Sequence, residues 1–202
     1  ENNPDIVLIA GDYVDGSSSY EDIITASAAL GTLQTKYGVY YCFGNHDRNF
    51  YERNAAFSEE QLVTELKKNN VIILQDEIVE LPCGVTIIGR EDASVKSRMP
   101  IARLMEQVDT SDFIIDMNHQ PSDYDAEEAA GVDLVVSGHT HGGQLIPIRQ
   151  VGVIVGATDK IYGREKRSNT EFVVTSGISD WALDFKTGCI SEYAIINLNK
   201  AN

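Results

Sequence analysis

Val39-Tyr40-Tyr41-Cys42-Phe43-Gly44-Asn45-His46-Asp47 begins with five consecutive apolar or aromatic residues and ends in an amide, an imidazole and a carboxylate. The apolar part is too short for a buried helix and reads as a strand covered on both faces. A buried strand that breaks at glycine into polar donors is how open α/β sheets carry reactive groups to the carboxyl ends of their strands. The same form recurs three times. Asp5 to Ala10 runs into Gly11-Asp12-Tyr13-Val14-Asp15, Phe113 to Met117 into Asn118-His119-Gln120, and Leu134 to Ser137 into Gly138-His139-Thr140-His141. All four histidines sit at these strand ends, a distribution that points to a shared metal cleft. With Asp12 as a fifth candidate, the donor set suits a divalent ion such as manganese, iron or zinc.

Working outward, further strands are expected at Val71 to Leu74, Ile78 to Leu81, Val85 to Gly89, Phe172 to Thr175 and Tyr193 to Leu198, each short and rich in branched residues. Leu81-Pro82-Cys83-Gly84-Val85 reads as a hairpin turn. Ile23, Ala26, Leu30 and Leu33 recur at helical spacing, as do Leu62, Val63 and Leu66 behind a Ser58-Glu59-Glu60-Gln61 capping box. Two more helices are expected, one over about Pro100 to Val108 and one from Ser122 to Ala130 that stops at Gly131. Strands alternating with helices indicate a mixed α/β domain.

The 202 residues suit one sizeable core, so 1–202 is read as a single domain. No apolar run approaches the roughly 20 residues that span a bilayer. A formal net charge of −15 argues against nucleic acid as a partner, because phosphate backbones are bound through clustered Lys and Arg. Bound cations would invert that field locally and leave an anionic substrate open. Cys42, Cys83 and Cys189 are odd in number and widely spaced, which reads as reduced structural thiols. The chain opens with Glu1-Asn2-Asn3-Pro4 directly before a strand, so an upstream targeting sequence or anchor is compatible with it.

Gly11-Asp12, Gly44-Asn45-His46-Asp47, a strand-end His119 and Gly138-His139-Thr140-His141, in that order, resemble the calcineurin-like metallophosphoesterases. The resemblance implies an α/β fold of two mixed β-sheets packed as a sandwich and flanked by α-helices, with a dinuclear metal centre at the strand ends. Gly138 to Gln144, followed by Thr175-Ser176-Gly177-Ile178 and Trp181, is most similar to the bacterial, membrane-anchored phosphodiesterase branch related to UDP-2,3-diacylglucosamine hydrolases. Protein Ser/Thr phosphatases resemble Gly11 to Asp15 but continue with Arg-Gly where this chain has Gly16. Purple acid phosphatases place a tyrosine ligand where it has Asp15.

The family also carries an Asp-x-His motif on a strand before the Gly-Asp motif, and none precedes Asp12. The chain therefore reads as an N-terminally truncated member that holds one of the two ions. By resemblance Asp12 bridges, Asn45 ligates through its amide oxygen, His119 and His139 complete that site, and His141 belongs to the other. Two ions about 3.5 to 4 Å apart acidify a water and neutralise the phosphoryl oxygens. His46 then protonates or stabilises the leaving oxygen, and Asp47 holds the His46 imidazole in its productive tautomer.

Arg48, Arg149, Lys160 and Arg164 could hold a phosphate, although a solvated surface role suits each taken singly. Asp15 reads as a turn residue, and Tyr162 and Trp181 as packing or pocket lining. The expected function is metal-dependent hydrolysis of a phosphodiester or pyrophosphate-linked substrate by a metal-bound hydroxide. The substrate is a small or lipid-linked phosphoester. Its setting is a bacterial cytoplasm or membrane face, with anchoring through a missing N-terminal segment. The alternative is a non-catalytic scaffold of the same fold with a degraded metal site.

Overall fold

The computed structural model describes residues 3–48, 55–144, 151–154, 156, 158–180 and 185–199. The chain alternates β1 (Val7–Ala10), α1 (Tyr20–Gly31), β2 (Val39–Cys42), α2 (Glu59–Lys68), β3 (Val71–Leu74), β4 (Glu77–Leu81), β5 (Val85–Gly89), α3 (Ile101–Met105), β6 (Phe113–Met117), α4 (Tyr124–Ala130), β7 (Leu134–Ser137), a short α5 (Val151–Ile154), β8 (Gly163–Arg167) and β9 (Thr170–Val174). β1, β2 and β3 form a parallel sheet, and the other six form a mixed sheet in the order β4-β5-β6-β7-β9-β8. In that second sheet β5, β6, β7 and β9 run parallel, while β4 and β8 close its edges as antiparallel strands.

Alternation along β2 explains the layering, because successive strand side chains point to opposite faces. Tyr40 and Cys42 pack with Leu74 against Ile87, Ile115, Met117 and Leu134 of the second sheet. Tyr41, with Phe43 just beyond the strand, faces the other way, onto Ile23 of α1 and Leu62 and Leu66 of α2. The outer face of the second sheet is covered in turn by Ile101 and Leu104 of α3 and Tyr124 of α4, packed on Ile88, Ile114, Val135 and Phe172. The result is the expected mixed α/β sandwich of two sheets with helices on both outer faces.

Local signals account for the element ends. Ser58 accepts from the Gln61 amide, and the Gln61 side chain accepts from the Ser58 amide at 2.8 Å, so the capping box starts α2 as read. Gly131 ends α4 in the left-handed conformation at φ 82°, which glycine adopts without penalty. The β4–β5 hairpin turns at Gly84, whose amide donates to the Leu81 carbonyl. Two expectations need correction. Tyr193 to Leu198 forms no strand; it runs without a ladder among the described residues and leaves Tyr193, Ile195, Ile196 and Leu198 exposed. β8 was not expected, because Gly163-Arg164-Glu165-Lys166-Arg167 has no apolar residue. It is an edge strand held by backbone pairing to β9 and by ion pairs such as Arg164–Glu171 at 2.8 Å.

Ile87 is fully buried between the sheets. Ile87→Ala should cost about 2 to 5 kcal/mol of unfolding free energy, whereas Ser58→Ala should cost only about 1 kcal/mol. Urea denaturation of both variants checks the order.

Candidate metal centre

The parallel register of the first sheet sets Ala10 beside Cys42, so the chain leaves β1 and β2 side by side. Asp47 then locks the two loops together. Its carboxylate is fully buried, with one oxygen accepting from the amides of Gly44 (2.7 Å) and Asp12 (2.8 Å) and the other from Tyr13 (2.8 Å) and Val14 (3.3 Å). Burial, reinforced by the Asp12 charge, pushes this carboxyl up to about 6 against the pull of those bonds. The approach is too close for side chains. A Cβ on Gly11 would lie 2.5 Å from the Gly44 nitrogen and 2.7 Å from His119 Nδ1, and one on Gly44 would collide with the Asp12 carboxylate.

The second sheet supplies the imidazoles. β6 and β7 are parallel neighbours, and the Gly138 amide donates to the His119 carbonyl, so His119 and His139 emerge together. Across the sandwich His119 Nδ1–H donates to the Ala10 carbonyl at 2.7 Å, which assigns Nε2 to the cleft. There Asp12 Oδ2 lies at 3.1 Å, Asn45 Oδ1 at 3.2 Å and His139 Nδ1 at 3.2 Å. One ring nitrogen cannot satisfy three converging acceptors, but a cation can be bound by all four atoms. The donor atoms of Asp12, His119 and His139 fall within 4.8 Å of one another, and oxygen with imidazole nitrogen is the ligand chemistry of manganese, iron or zinc.

Charges follow this geometry. Burial opposes ionisation of both Asp12 and His119, yet their mutual contact prevails, holding the Asp12 carboxyl below its usual range and the His119 imidazole above its own. Desolvation and the neighbouring His119 push His139 down, although that residue keeps an exposed face. The neutral imidazole this favours is the metal-binding form.

His141 stands outside this cluster. It opens a 3-10 turn (His141–Gly143), its carbonyl accepts from the Cys189 thiol at 2.9 Å, and its buried ring Nδ1 has no hydrogen-bond partner among the described residues. His46 gives its backbone amide to Asp12 Oδ1 at 2.8 Å, while its half-buried side chain lies in the field of Asp12 and Asp15. The expected bond from Asp47 to the His46 imidazole is a correction. Both Asp47 oxygens are taken by backbone amides, so Asp47 joins loops instead of fixing a tautomer.

Other candidates have partners within the protein. Arg48 pairs with Glu91 at 2.6 Å and Glu59 at 3.3 Å and lies over the Phe43 ring. Lys160 pairs with Glu165, Tyr162 donates to Glu192, and Asp15 accepts from Ser17 as a turn residue. Arg149 and Trp181 lie outside the described residues. The three cysteines are unbridged. One participant had no sequence signal, the Ala10 carbonyl that anchors His119, because any residue has a carbonyl.

With this geometry in place, comparison with known proteins is direct. The profile of the calcineurin-like phosphoesterases matches residues 1–143. A Helicobacter pylori protein named "Uncharacterized metallophosphoesterase" is 31% identical over 204 residues, covering 98% of this chain and 52% of that protein. A Danio rerio protein named "Transmembrane protein with metallophosphoesterase domain" is 26% identical over 214 residues, covering 100% of this chain and 47% of that protein. The chain thus spans about half the length of the curated relatives it matches. A solved crystal structure shares the fold with a TM-score of 0.51 at 11% identity, over 84% of this chain and 79% of that one.

Titration with Mn(II), read by loss of the free-ion EPR signal, should find one tight site. His139→Ala should weaken it by more than the roughly 10- to 100-fold that an outer-shell change costs, and His141→Ala should leave it unchanged. Equal losses in the two variants would contradict the cluster as drawn.

Proposed function

Since the chain belongs to the calcineurin-like phosphoesterase family, we propose that it hydrolyses phosphodiester or pyrophosphate-linked substrates with a divalent ion held by Asp12, Asn45, His119 and His139. The observation that carries this reading is the convergence of three acceptor atoms on His119 Nε2. A cation bound there supplies Lewis-acid polarisation of the phosphoryl oxygens and acidifies water. The chain's own part is to hold that ion and to orient the ester. His46, next to Asn45 and tied to Asp12 Oδ1 through its backbone amide, is not one of the four proposed ligands and gives a proton to the departing oxygen. Such acid help contributes typically about 10²- to 10⁴-fold.

We take residues 1–202 as one metallophosphoesterase domain whose substrate is a small or lipid-linked phosphoester. No helix among the described residues is long and apolar enough to cross a membrane. The zebrafish relative's name nonetheless supports work close to a membrane. A second reading, a non-catalytic scaffold, draws on His141 lying outside the cluster of Asp12, His119 and His139.

Bis-p-nitrophenyl phosphate hydrolysis with added manganese separates the two, because the scaffold gives none across several metals and esters. If His46 is the acid, His46→Ala keeps its metal and slows an alkyl ester more than the nitrophenyl ester, whose leaving group needs little protonation. Equal slowing of both esters would remove the acid role, and loss of metal in His46→Ala would make it a ligand.

A further inference from the structure

His119 is fixed from one side by the Ala10 carbonyl. On the other side its chain neighbour Asn118, 1% exposed, has every side-chain bond satisfied inside the protein. Asn118 Nδ2 donates to the Ser122 carbonyl at 3.0 Å and to Glu127 Oε1 at 2.7 Å, and its Oδ1 accepts from Arg98 Nη2 at 2.8 Å. These partners belong to a larger, mostly buried set, with Asp123 at its exposed edge. Arg98 pairs with Asp123 at 3.0 Å, while Arg90 lies 3.5 Å from Asp116, 3.6 Å from Glu127 and 3.5 Å from Asp123. Arg90 also donates to the Met99 carbonyl at 3.3 Å.

Arg90, Asp116 and Glu127 are 2%, 0% and 0% exposed, and none of them belongs to the metal cluster. Desolvation pushes the Asp116 carboxyl up to about 6 and raises Glu127 well above its usual range. Burying this much charge is costly, and well-packed apolar residues would often be as stable or more so. The network therefore needs a reason other than stability, and its bonds supply one. They meet on residues 118–123, the loop that carries His119 and that includes Asp123 in the left-handed region at φ 71°, where a residue other than glycine is strained.

We propose that Asn118, with Arg98 and Arg90 behind it, is a positioning residue for His119, holding the loop so that Nε2 already faces Asp12, Asn45 and His139 when a cation arrives. Preorganisation of this kind is how supporting residues tune a metal site that they do not touch. The inference rests on the metal-site reading above.

The experiment measures the Mn(II) dissociation constant by EPR of the free ion for wild type, Asn118→Ala, Arg98→Met and the double variant, each checked for folding by circular dichroism. Arg98, on the more exposed side of the network, provides the milder change should Asn118→Ala fail to fold. Leu62→Ala, in the α2 core outside both the network and the metal cluster, serves as a control destabilised by ordinary cavity formation. The expected result is about 10- to 100-fold weaker binding in each network variant, no further loss in the double variant because the two residues act as one unit, and a wild-type constant in Leu62→Ala. Folded network variants with the wild-type constant would overturn the proposal, as would a loss in Leu62→Ala equal to theirs, which would make the effect one of general stability. Failure of the metal-site reading is distinguishable, since wild type itself would then bind no Mn(II).

Discussion

A single buried carboxylate holds the two loops of the site in register. Asp47 accepts four backbone amide bonds, two of them from residues on either side of the close approach between Gly11-Asp12 and Gly44. An ionised group taken out of water is tolerable only when it is fully hydrogen-bonded, and bonds to charged groups contribute about 1.5 to 3 kcal/mol each. The bonds also set direction. With the Asp12 amide tied to Asp47, the Asp12 side chain turns the other way, toward the His46 amide and His119. Everything else in the cleft depends on that orientation.

The same arrangement creates an electrostatic tension. Asp12 and Asp47 are acids on either side of one short segment, and the charge of each raises the cost of ionising the other. His119 relieves part of it from the far sheet, and a divalent cation among Asp12, Asn45, His119 and His139 would relieve more. The second sheet is held just as firmly as the first, through the bond from His119 to the Ala10 carbonyl and through the buried Asn118 amide. The proposed ligands are therefore set on strand ends whose loops are fixed by bonds that need no metal.

Much of this was legible in the sequence, for physical reasons. Short parallel strands such as Val71–Leu74, wholly apolar, and Phe113–Met117, apolar but for Asp116, match expectation residue for residue. Ligand types at strand ends are legible because metal chemistry restricts them to few residues. What escaped depends on partners far away in the chain. Tyr193 to Leu198 has the alternation of a strand, but pairing comes from a neighbour, and no ladder forms among the described residues. β8 has charges where a strand normally carries apolar residues, and only its pairing with β9 identifies it. The family resemblance implied that the Asp47 side chain partners His46, yet it bonds the loop 35 residues upstream of it. Arg90 and Asn118 carry no motif at all, and their role emerges only from the contacts that surround His119.

The most direct measurement is anomalous diffraction at the manganese edge from crystals of the protein soaked in Mn(II). The account predicts its strongest peak within coordination distance of His119 Nε2, Asp12 Oδ2, Asn45 Oδ1 and His139 Nδ1, with the Asp47 oxygens still bonded to backbone amides. A peak elsewhere with none at these four atoms, or an Asp47 carboxylate turned to bind the ion, would contradict it.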